Sequence, residues 1–85
     1  MNIEAAKKLL SQGHLSAAKD LLNDLDLAGQ STAELQYLLG TILHRENKFA
    51  EAVDRFKRAL QIDPHFTDAA ISLSIIYNDT GHYQE

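Results

Sequence analysis

The chain has 85 residues and a mass of 9.5 kDa, enough for one compact domain with a thin core and too little for two catalytic lobes. Hydrophobic residues make up 45% and charged residues 24%, the balance of a chain that folds. Cysteine is absent, which removes disulfides and thiolate chemistry. The net charge of −4, with no basic run longer than Lys7-Lys8 or Lys57-Arg58, excludes the phosphate-neutralising surface of a nucleic-acid binder.

Apolar residues recur at three- and four-residue spacing along the whole chain, and period-two alternation is nowhere sustained, so the expected class is all-α. The first two helices are expected near 2–12 and 15–26, split at Gly13. A polar connection, Ala28-Gly29-Gln30-Ser31-Thr32, leads to a third helix near 32–46, with Ser31 or Thr32 as its N-cap and the stripe Leu35, Leu38, Leu39, Ile42 and Leu43. Asn47 suits the left-handed turn that ends it. A fourth helix carries Phe49, Ala52, Val53, Phe56, Ala59 and Leu60 and is stopped by Asp63-Pro64. The fifth is expected near 67–80, split from the rest at Gly81.

Sliding the sequence against itself reveals a period of thirty-four. Gly13-His14-Leu15-Ser16-Ala17-Ala18 lies over Asn47-Lys48-Phe49-Ala50-Glu51-Ala52, and Gly81-His82-Tyr83 falls over the start of both. Ahead of these turns Ala6, Gly40 and Ser74 are in register, as are Ala5, Leu39 and Leu73, and then Leu9, Leu43 and Tyr77. One domain over 1–85 is expected, with copies at about 1–32 and 33–66 and a partial third at 67–85.

Leu39-Gly40, Leu43, Ala52, Phe56, Ala59 and Pro64 stand at the spacing of the tetratricopeptide repeat, and the middle copy resembles that family most fully. The resemblance implies antiparallel helix pairs stacked as a right-handed α-solenoid, here of about two and a half repeats. It also implies a non-catalytic interaction module that holds a peptide or helix of another protein on a concave face lined by the first helix of each pair. Gly40 and Ala52 are expected to face each other where the paired helices cross. The first copy departs from the family at Leu25 and Gln30, where Ala and Pro are preferred, so its exit turn is expected to be looser. Gln36 and Ala70 replace the leading Trp.

Mapped onto this sequence, the concave face gives Tyr37, Thr41, His44 and Arg45 on the middle first helix and Ile71 and Ile75 on the last as expected partner contacts, with Ile3 and Lys7 flanking them. Tyr37 would be an aromatic anchor in an apolar strip; the competing possibility is that the isoleucines only fill gaps between helices. The clamp of Lys, Asn and Arg by which some relatives hold a chaperone's terminal carboxylate is missing, since Ile3, Lys7, Leu38, Asp68 and Ser72 stand at its places.

The third copy stops where its second helix would begin. Leu73, Ile76 and Tyr77 are therefore expected to be poorly covered and to drive self-association, whether the chain is a fragment or pairs with a copy of itself. The alternative function is then a structural or self-assembling repeat segment without a ligand groove. His14, His44, His65 and His82 lie in separate turns, so no metal site is expected. No catalytic motif is present, and neither enzyme activity nor a cofactor is expected. The start, Met1-Asn2-Ile3-Glu4, is not a secretory leader and no apolar run reaches membrane-spanning length. A cytoplasmic protein with no nucleic-acid or membrane partner is expected.

Overall fold

The computed structural model describes residues 3–80, so the turn expected at Gly81, with His82 and Tyr83, lies outside the described residues. Five helices follow in order: α1 Ile3–Ser11, α2 Leu15–Leu27, α3 Ala33–Arg45, α4 Phe49–Ile62 and α5 Thr67–Thr80. Among the described residues there is no strand, and no helix is long and apolar enough to cross a membrane.

Three helices end the same way. Gly13, Gly29 and Asn47 have positive φ values of 83°, 81° and 63°. Each lets the next amide reach back to the last turn: His14 to the Leu9 carbonyl at 2.9 Å, Gln30 to Leu25 at 3.1 Å and Lys48 to Leu43 at 2.9 Å. These bonds satisfy carbonyls that a helix end leaves without partners. The exit turn of the first copy is therefore closed rather than loose, because Gly29 supplies the left-handed residue without help from a proline at position 30. At the start of α3 the Thr32 hydroxyl accepts the Leu35 amide at 3.1 Å, which makes Thr32 the N-cap. Asp63 leaves α4 in extended backbone ahead of Pro64.

The helices pack as antiparallel neighbours, α1 on α2, α3 on α4 and α5 against α4, with α2 joined to α3. The apolar interior has two parts. Ile3, Ala6, Ala18, Leu22, Leu35, Leu38, Leu39 and Ile42 form the first; Leu43, Ala52, Phe56, Ala59, Ala69, Leu73 and Ile76 form the second. Both draw on α3, and Tyr37 packs on both. A β-carbon at Gly40 would lie 2.7 Å from Phe56 Cε1. Close approach at Gly40 is thus dictated by the Phe56 ring rather than by Ala52 alone.

The expectation for α5 needs correction. Leu73 and Ile76 are buried, so these two do not form an open association surface, and Tyr77 is half-buried. Ala59 and Ala69 are fully buried; their small side chains let α5 come close to α4, and the larger Leu73 and Ile76 then reach the cluster around Phe56. In its middle turns α5 leaves Ala70, Ile71, Ser74 and Ile75 in solvent, and Asp68 and Asp79 are exposed toward its two ends.

Candidate functional site

On the face expected to be concave, the side chains divide into those used by the fold and those left free. Ile3 is buried in the first cluster. Lys7 donates to Glu34 at 2.7 Å, tying α1 to α3, and this hydrogen bond holds the Lys7 ammonium above its ordinary pKa.

Tyr37 is half-buried and packed between two rings, with centroids 5.8 Å from Phe56 and 5.3 Å from Phe66. It is a keystone of the core more than an anchor for a ligand. Its type and spacing looked like a groove residue because both roles call for an aromatic side chain at that place. The Thr41 hydroxyl turns back onto the Tyr37 carbonyl at 2.9 Å. His44 packs on Phe49 at 5.6 Å. Arg45 is exposed, and no ion pair among the described residues reaches it.

Ile71 and Ile75 are 52% and 47% exposed. They are one helical turn apart and line an open depression of about 590 Å³ with Ser74, Tyr77 and Asn78. Of the expected contact residues, only these two share this depression; Tyr37, Thr41, His44 and Arg45 do not line it. The Tyr77 hydroxyl is buried and has no hydrogen-bond partner among the described residues.

A second feature was not expected. Gln36 is 2% exposed. Its amide nitrogen donates to Asp26 Oδ1 at 3.1 Å and to Ser31 Oγ at 2.7 Å. Arg55 Nη1 donates to Gln36 Oε1 at 3.0 Å and lies 3.3 Å from Asp26 Oδ2. Helices α2, α3 and α4 are thus joined by a polar cluster in which both ends of the buried amide are satisfied. A further pair, Lys19 with Glu46 at 2.9 Å, ties α2 to the end of α3. This hydrogen bond keeps the Glu46 carboxyl below its ordinary pKa and the Lys19 ammonium above its own. Both clusters join elements, and neither lines the depression on α5. Among the described residues no group of three His, Asp or Glu side chains forms a metal cage.

The family model described as "Tetratricopeptide repeat" matches residues 33–66, which are α3, α4 and the turn after them. Among curated proteins the chain is similar to intraflagellar transport protein 70B of Bos taurus, at 28% identity over 89 aligned positions. The alignment covers 98% of this chain and 13% of that protein, so the chain spans about one eighth of the relative's length. No solved structure matches the chain. Residues 33–66 thus match a tetratricopeptide repeat, and the described residues around them form an all-α helical repeat consistent with that type.

Proposed function

We propose that this chain is a protein-interaction module whose docking surface is the exposed side of α5, centred on Ile71 and Ile75, and whose ligand is a peptide or helical segment of another protein. One observation carries the reading: two branched apolar side chains stand about half in water, side by side, over an open depression, while Ala69, Leu73 and Ile76 of the same helix are buried. Full burial of such a side chain contributes about 1.5–3 kcal/mol. The exposed halves of the pair therefore offer together about that much to a ligand, roughly a tenfold to hundredfold gain in affinity. Arg45 is available to add a polar contact at the end of α3. Thr41 and His44 already have partners within the chain and would serve only by exchanging them. The lack of cysteine suits work in the cytoplasm.

The rival reading, assembly of the chain with itself through α5, would use the same two isoleucines, since Leu73 and Ile76 are already buried; Leu27 and Ile62 are exposed elsewhere on the chain. The test is selection of displayed random peptides on the chain, followed by titration of the selected peptides against an I71S/I75S variant shown by circular dichroism to keep its helicity. Loss of binding by about tenfold or more is expected. Equal binding to both proteins would show that the surface lies elsewhere.

A further inference from the structure

The row containing Ile71 and Ile75 is charged at both ends. Asp68, Ile71, Ile75 and Asp79 follow one another at three, four and four residues. At 100° per residue all four fall within an arc of roughly 80°, on a different side from the buried Ala69, Leu73 and Ile76. All four are exposed. Helix α5 holds no lysine, arginine or histidine. The ion pairs among the described residues involve Lys7, Lys19, Lys48, Arg55 and Arg58, and none reaches Asp68 or Asp79. Two carboxylates thus stand about 16 Å apart along the axis with an apolar pair between them.

We infer that the occupant of this face is a basic amphipathic helix, with two apolar side chains one turn apart and a lysine or arginine beyond each of them. This rests on the docking reading above and adds the chemistry of the ligand. A helix repeats its side chains every three or four residues, as the row does, so one helix laid along α5 at a shallow angle can meet all four positions. Charge separates this occupant from a second copy of the chain. If two α5 helices paired antiparallel about the isoleucines, Asp68 of one would come against the region of Asp79 of the other, at both ends. If they paired parallel, each aspartate would meet its own copy. Either arrangement places like charges at every end, in a chain whose net charge is already −4. An acidic peptide meets the same repulsion.

The test uses three fluorescent helical peptides with the same pair of leucines and with lysine, glutamine or glutamate at both flanks. Each is titrated by anisotropy into the chain, into D68N/D79N and into D68K/D79K, at low and at high salt. The lysine peptide should bind tightest to the unaltered chain, and about tenfold more weakly to D68N/D79N or in about 0.5 M salt. D68K/D79K should reverse the order and prefer the glutamate peptide. Equal binding of all three peptides to the unaltered chain overturns the inference. So does a dimer seen by light scattering that I71S/I75S abolishes. Selected peptides that need Ile71 and Ile75 but show no lysine or arginine enrichment leave the docking reading standing and remove this one. Failure to select any peptide removes both.

Discussion

Replacing Gly40 by alanine sets two effects of opposite sign against each other. Alanine is better than glycine in a helix interior by about 1 kcal/mol. The new methyl, however, would sit 2.7 Å from Cε1 of Phe56 and 2.9 Å from Cδ1 and Cζ, which is inside contact distance for three ring atoms at once. The ring has little room to withdraw. Phe56 is fully buried, Tyr37 lies against it, and Phe66 lies against Tyr37. Overpacking of this kind costs about 1–3 kcal/mol, so G40A should be destabilised by about 0–2 kcal/mol, with a fall in melting temperature of several degrees at the centre of that range. The first copy shows what would relieve it. There Ala6 stands at the place of Gly40 and Leu22 at the place of Phe56, and both are fully buried. A leucine at 56 should therefore accommodate alanine at 40. Urea denaturation of G40A, F56L and the double variant should give a favourable coupling of about 1 kcal/mol or more. If G40A is instead stabilised by its full propensity gain, and the two changes simply add, the clash with Phe56 does not govern this position.

Three further outcomes are expected. Y37A should lose about 2–4 kcal/mol by urea denaturation, because it opens a gap between Phe56 and Phe66, whereas serine at Ile71 or Ile75 should stay within about 0.5 kcal/mol; comparable losses at all three would mean that Tyr37 is not part of the core. R55A should cost about 1–3 kcal/mol, since it leaves the buried Gln36 carbonyl oxygen and Asp26 short of a donor; a neutral change would show that water replaces the guanidinium without loss. The folded Glu46 carboxyl binds its proton less readily than its ordinary pKa of 4.5 implies, because Lys19 donates to the carboxylate. Its stabilising contribution is therefore complete above that value and disappears as pH falls through the lower folded one. E46Q should accordingly flatten the acid limb of the stability profile, and an unchanged slope in an acid titration followed by circular dichroism would refute the assignment.

The helices and their turns were legible because local chemistry and the repeat agreed. Gly13 and Asn47 mark left-handed ends thirty-four residues apart, the apolar spacing that marks the buried faces recurs at the same period, and Pro64 marks a stop in the middle copy. The proposed docking surface was legible only in part. Ile71 and Ile75 were found because the register places them opposite the buried stripe. Tyr37 was assigned to the same surface because the register gives a direction and not a depth. Depth depends on Phe66, which reaches Tyr37 from the turn between α4 and α5, and a turn has no place in a helical pattern. Leu73 and Ile76 were misjudged for a related reason. Their cover depends on how closely α5 approaches α4, and that is set by the small residues Ala59 and Ala69.

The polar cluster escaped notice because each member looks unexceptional in its own helix, yet the period carried a signal. Shifted by thirty-four residues, Asp26 falls on Leu60, Gln36 on Ala70, and Arg55 on Leu21. Leu21 and Leu60 are half-buried and pack against the two apolar clusters. Asp26 and Arg55 thus occupy places that are leucine in a neighbouring copy, Gln36 one that is alanine in the third copy and asparagine in the first, and they come together at a single junction. An isolated polar substitution at such a place would carry a desolvation cost without return. Three that satisfy one another give the junction between α2, α3 and α4 a pairing that the junction between α4 and α5 cannot imitate. In a chain of units that share one apolar pattern, a helix pair could dock against another in the wrong order with similar apolar contact. A hydrogen-bonded cluster present at one junction removes that degeneracy: a misordered stack would bury Gln36 against Leu60 and leave its amide unpaired.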